Sequence, residues 1–251
     1  RCHQANFAVQ NADQAIEVLQ DIRRQRLHER MDQDGYLYLP RLLDAANVLK
    51  ARRSILEQFN KEGLLDSAQA LMDGVLKPGL NPQFRPDLAH ADPALFELLY
   101  GGRMMAFFRQ FLDGAVRHFD FTWLRAIGKG NGTPSHCDIV YMGRGTTRLY
   151  TAWVPLGDVS FDLGGLMILE GSHRNGRLRQ TYGKSDVDSY CANRTGLAAR
   201  DGWQSHHNGH LSRNANQIRR SIGGCWLTTE YSAGDVLIFG MYTIHASLDN
   251  H

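Results

Sequence analysis

The sequence predicts a mainly β protein with N-terminal helices, its strands forming an antiparallel sandwich or barrel. Two observations predict it. Apolar side chains recur at helical spacing up to about residue 112; from about residue 115 the period changes to two, in short segments separated by Gly, Asn, Asp and Pro. Helical segments are missing between most of the later strands, which argues against a parallel sheet.

The elements follow in order. Residues 13–31, DQAIEVLQDIRRQRLHERM, place Ile16, Leu19, Ile22 and Leu27 roughly on one face of a helix. At DGYLYLP, Gly35 breaks that pattern, Leu37 and Leu39 alternate with Tyr36 and Tyr38, and Pro40 ends a short strand. Asp44 is the N-cap of a second helix over 44–60, and 93–112 is a third helical region interrupted at Gly101-Gly102. The strand segments are HFDFTWLRAIG, RLYTAWVPLGD, GGLMILEGSH, CWLTTEY and GDVLIFGMYTIHAS. Residues 174–224 break this rhythm and are rich in Arg, Gly, Ser and Asn, as a lid or binding loop would be. Their arginine excess suits either an anionic substrate or a solvated surface.

A chain of 251 residues, 43% hydrophobic, buries one substantial core, so residues 1–251 are read as a single domain. The net charge of +2, from 28 basic and 26 acidic residues, gives no reason to expect a nucleic-acid or membrane partner. Cys2, Cys137, Cys191 and Cys225 form no CxxC pair, which fits a reducing compartment better than a disulfide framework. Signal-peptide and membrane-span patterns are missing, so the expected location is cytoplasmic and two N-x-T triplets read as chance. Because the chain begins at Arg1, it is expected to be part of a longer gene product. Neither common phosphate-binding glycine loop is present.

Candidate chemistry begins at PSHCDIVYMGRG. On a strand, His136 and Asp138 would share a face, with Cys137 opposite. Alone, an H-x-D pair reads most simply as a capped strand end. His245 strengthens the metal reading: GDVLIFGMYTIHASLDN is a buried strand with this histidine near its far end. Two histidines and one carboxylate leave coordination positions open, which suits non-haem Fe(II) activating dioxygen; a structural zinc would want four closed ligands.

These motifs resemble the phytanoyl-CoA dioxygenase-like family of Fe(II)- and 2-oxoglutarate-dependent oxygenases. In order they are the DGYLYLP entry strand, the H-x-D pair, Trp153 on a following strand, the GGLMILEGSH block (Gly164 to His173), and Gly234-Asp235 leading to His245 and Ser247. The resemblance covers about residues 30–250. It implies a double-stranded β-helix, or jelly roll, over 115–251 with a lid-like insertion at 174–224, braced by a helical support region over 1–114 that includes the entry strand. It also implies iron held by His136, Asp138 and His245, with 2-oxoglutarate and dioxygen consumed, succinate and CO2 released, and a C–H bond of a small-molecule substrate oxidised. Relatives that halogenate carry a small residue in place of the aspartate, so Asp138 implies hydroxylation or a related oxidation. The resemblance places the cosubstrate beside Ser247 and Trp153 and pairs its far carboxylate with an arginine shortly beyond the distal histidine. The sequence stops at His251, so that arginine is expected either past the end of the numbered chain or replaced, with Arg125 and Arg148 the nearest substitutes.

The remaining candidates have plainer readings. His206, His207 and His210 in HHNGH read as a solvated loop, His173 as a structural residue or one supporting the ligands, His118 as a hydrogen-bonded strand position, and Cys137 as a small packed side chain. The Met104-Met105 and Phe107-Phe108 run reads as a helix packed on the barrel. Two other functions compete with the oxygenase: a catalytically inactive jelly roll that binds a ligand or partner, and a metal-dependent hydrolase using the same triad. Substrate identity and oligomeric state have no signal in the sequence.

Overall fold

The computed structural model describes residues 12–119, 121–187 and 209–251. Helix α1 (Ala12–Asp34) leads into strand β1 (Tyr36–Leu39), and α2 (Ala45–Lys61) follows, capped by the Asp44 side chain, which accepts from Asn47 N at 3.1 Å. Next come β2 (Gln83–Phe84), α3 (Pro86–Ala91), α4 (Pro93–Tyr100) and α5 (Gly102–Leu112), with Gly101 ending α4 where the sequence pattern predicts the interruption. The later chain holds β3 (Arg125–Ala126), α6 (Ile139–Met142), β4 (Tyr150–Trp153), β5 (Leu166–Leu169), α7 (Gly176–Gln180), α8 (Ala215–Ile222), β6 (Trp226–Leu227), β7 (Val236–Gly240) and β8 (His245–Ser247).

All pairings are antiparallel. One sheet has the order β1-β7-β4, with Leu37 opposite Ile238 and Trp153 opposite Leu237; the other has β6-β5-β8, with Ile168 opposite His245; and β2 pairs β3 separately. Strand β7 organises the core through its two faces. Val236 and Ile238 pack with Val48, Ile55 and Phe59 of α2 and Leu95 of α4. Leu237 and Phe239 turn the other way and pack with Leu166 and Ile168 of the second sheet. A third cluster joins Cys137, Ile139 and Val140 to Leu178, Ile218 and Ile244.

Three expectations are corrected. In HFDFTWLRAIG, strand pairing among the described residues is confined to Arg125–Ala126, and His118 Nδ1 meets its neighbour's carbonyl, Phe119 O, at 3.0 Å, while its ring lies 4.2 Å from that of Tyr100. GDVLIFGMYTIHAS is two strands in different sheets rather than one, because the chain turns after Gly240, with Thr243 N bonding Gly240 O and Thr243 Oγ1 bonding Gly35 O at 2.8 Å. Asp138 is not on a strand either: it has α-helical torsions at the start of α6. Among the described residues no helix is long and apolar enough to cross a membrane.

Candidate metal centre

His136 lies on a short extended segment whose backbone exchanges both hydrogen bonds with His245, 3.0 Å each way. This bridge places the two imidazoles side by side, with ring centroids 4.2 Å apart. Asp138 enters from the first turn of α6, and its Oδ1 lies 3.8 Å from His136 Nε2 and 3.6 Å from His245 Nε2. The three side chains are buried, at 4%, 7% and 5% exposure, and among the described residues they form the one His/Cys/Asp/Glu group whose donor atoms lie close enough together to share an ion.

Each donor is held from behind. His136 Nδ1 meets Pro134 O at 2.7 Å and His245 Nδ1 meets Thr243 O at 3.1 Å, so each Nδ1 carries the proton and each Nε2 presents its lone pair. Asp138 Oδ2 accepts from Thr151 Oγ1. Burial, and after it the neighbouring His245, push the His136 pKa down to about 3 against the opposing pull of Asp138, which keeps this ring neutral near neutral pH. A buried carboxylate facing two imidazoles with their lone pairs inward is costly to leave without a cation. The donor set, orientation and charge all fit a divalent metal.

A cavity of about 750 Å³ opens from the triad towards the N-terminal helices. Its wall includes Phe84, Leu99, Met104, Phe108, Phe121 and Trp123. Trp153 on β4 lines it, with its ring 4.7 Å from Tyr231. Ser247 on β8 also lines it, two residues beyond His245, and its Oγ accepts from Thr133 N at 2.7 Å. Arg125 on β3 faces the cavity, with its guanidinium carbon 5.8 Å from the Phe84 ring centroid. Arg148 also reaches the lining, and its Nη2 donates to Leu112 O at 3.2 Å.

The HHNGH reading is corrected for His210, which is partly buried, lines the cavity and holds its ring 6.0 Å from that of His136. His206 and His207 lie outside the described residues. His173 sits apart from the triad, its Nε2 meeting Asp32 O at 3.1 Å, and Cys137 Sγ turns to Tyr242 O at 3.4 Å. Sequence reasoning missed Thr151, Tyr141 and Phe239, whose rings or hydroxyl surround the donors. Thr151 was findable: it stands two residues before Trp153 and so shares its face of β4.

With this geometry in place, comparison with known proteins is decisive. The family model described as phytanoyl-CoA dioxygenase (PhyH) matches residues 31–251. The chain belongs to the phytanoyl-CoA dioxygenase family. The cofactors of this family are Fe(II), 2-oxoglutarate and dioxygen. A curated relative, 1-deoxypentalenic acid 11-beta-hydroxylase of Streptomyces exfoliatus, is 24% identical over 241 residues, covering 90% of this chain and 75% of the relative. Among solved structures, the non-heme alpha ketoglutarate dependent carbocyclase SnoK from nogalamycin biosynthesis aligns with a TM-score of 0.58 at 17% identity, covering 88% of this chain and 76% of that one. EctD from S. alaskensis, solved with 2-oxoglutarate and 5-hydroxyectoine, aligns with a TM-score of 0.55 at 20% identity, covering 90% and 70%. At these identities the structures speak for a shared fold.

Proposed function

We propose that this protein is a 2-oxoglutarate-dependent oxygenase that hydroxylates, or otherwise oxidises, a C–H bond of a small molecule, with release of succinate and CO2. The observation that carries the reading is the convergence of His136, Asp138 and His245 in the lining of a largely apolar cavity. In this reading the two three-stranded sheets are the halves of a double-stranded β-helix, and the three side chains are the iron ligands. Bound iron with 2-oxoglutarate and dioxygen supplies the oxidising power.

The rest is the work of this chain. Backbone carbonyls at Pro134 and Thr243 fix the tautomers of the two imidazoles, and Thr151 holds the Asp138 oxygen that points away from them. Ser247 and Trp153 line the same cavity as the triad and are assigned to the cosubstrate in this reading, as is Arg148, whose Nη2 donates to Leu112 O. The apolar wall excludes water and lowers the local dielectric constant around the reacting C–H bond. Keeping the aspartate fills a coordination position that a halide would otherwise need, so hydroxylation is favoured over halogenation.

The test is 2-oxoglutarate decay and succinate release by purified protein with Fe(II), in air and under argon. Oxygen-dependent succinate formation that His245→Ala abolishes is the expected outcome. Stoichiometric iron binding without succinate over a broad substrate panel would overturn the reading.

A further inference from the structure

The cavity contains a cation that the metal centre does not use. Four arginines line it, and three are engaged elsewhere. Arg52 donates to the carbonyls of Met72, Asp73 and Leu156, Arg148 donates to Leu112 O, and Arg117 also has a partner. The fourth, Arg125, makes no hydrogen bond or ion pair through its guanidinium to any described residue; its one specific contact is the face of Phe84. Arg125 is an exposed side chain that lines the cavity, and desolvation there pulls the guanidinium pKa below its ordinary value, against the opposing effects of Asp138 and Tyr141. Its five donors have no protein partner among the described residues and are open to a ligand in the cavity.

We propose that Arg125 binds the anionic group of the substrate, and that the substrate is an apolar carbon skeleton carrying a carboxylate. The proposal deepens the oxygenase reading and rests on it. Arg125 stands on β3, which pairs only with β2 and lies outside the two sheets that carry the triad, Trp153 and Ser247. The surface around it is the aromatic wall: Phe84 and Phe121 lie 5.8 Å apart and Phe121 and Trp123 4.7 Å apart. 2-Oxoglutarate is small and polar at both ends, so it has no use for that wall. A substrate acid does, because its body lies along the rings while a planar carboxylate meets the guanidinium fork. Arg125 and Asp138 line the same cavity.

Three acid and methyl-ester pairs test this: decanoic, 2-naphthoic and dehydroabietic acids with their esters. Each is titrated by tryptophan fluorescence into protein loaded with Fe(II) and 2-oxoglutarate under argon. For at least one pair the acid is expected to bind about tenfold or more tightly than its ester, the worth of a hydrogen bond to a charged group. In Arg125→Gln that preference falls to near unity, while Arg125→Lys keeps part of it and the apparent affinity for 2-oxoglutarate stays as in the wild type. Equal binding of acid and ester in all three pairs overturns the proposal. So does an Arg125→Gln or Arg125→Lys protein whose loss is in 2-oxoglutarate affinity, since Arg125 would then serve the cosubstrate. Selectivity is read without turnover, so a protein that consumes 2-oxoglutarate can fail here and one that does not can pass.

Discussion

Thr151→Val tests whether the metal centre depends on the group behind Asp138. Valine keeps the shape of threonine and removes the hydroxyl that donates to Asp138 Oδ2. The carboxylate is 7% exposed, so water does not readily replace the lost donor. A hydrogen bond to a charged group is worth about 1.5–3 kcal/mol. Losing a partner behind a metal ligand costs roughly 10- to 100-fold in metal affinity, or about 1.4–2.7 kcal/mol. The two routes agree, and the expected dissociation constant for Co(II) or Fe(II), measured under argon by competition with a colorimetric chelator, is about 10- to 100-fold weaker than in the wild type. Thr151→Ser restores the donor and most of the affinity. The melting temperature of the metal-free protein separates a folding fault from a metal fault. Metal affinity in Thr151→Val within about twofold of wild type, with the fold intact, would refute the idea that this hydroxyl organises the ligand.

Three further outcomes concern stability. Gly35 has φ +80° and an added Cβ would stand 2.3 Å from His173 Nδ1, so Gly35→Ala is expected to lose at least about 2 kcal/mol in urea unfolding, and the Gly35→Ala/His173→Ala double variant to recover the part due to the clash. Burial lowers the His173 pKa below 6.5, partly opposed by its bond to Asp32 O, so the unfolded chain takes up the proton first and this stabilising term, complete above about pH 6.5, is lost as the pH falls below it. His173→Gln should therefore show a shallower fall in melting temperature between about pH 7.5 and about pH 5.5 than the wild type, and an equal slope would count against the assignment. Asp44→Ala removes the cap on α2 and is expected to lower the unfolding free energy by about 1 kcal/mol, measured by the same urea titration.

Much of the site was legible because its parts sit in local patterns: a two-residue H-x-D spacing, a glycine-aspartate entry to an apolar strand, and a histidine with a serine two positions on. The reasons for their convergence were less legible. His136 and Asp138 do face one point, but through a backbone bridge to His245 and the first turn of α6, not through the alternation of one strand. The break between β7 and β8 was hidden because Met241 and Ile244 remain buried and apolar across the turn, and the contact at that turn, Thr243 Oγ1 to Gly35 O, joins residues far apart in the sequence. His210 was misplaced for a similar reason: a polar neighbourhood describes a segment on average, while one side chain at its end reaches the cavity.

The aromatic stretch before Arg125 carries the most general consequence. Phe119, Phe121 and Trp123 alternate as a strand would, yet among the described residues the backbone at these three positions has no partner strand. Period-two apolarity reports that one side of an extended chain meets an apolar surface; it does not report that the backbone has a neighbour. Here the surface is the cavity wall itself, which leaves Phe119 and Phe121 exposed at 45% and 36%. Such exposure has no use in a packed core and a direct one in holding a ligand. The feature that misled the strand assignment is thus the one that supports an apolar substrate, and the partly exposed rings beside Arg125 are where changes in substrate preference should concentrate, while changes at the triad should abolish activity for every substrate alike.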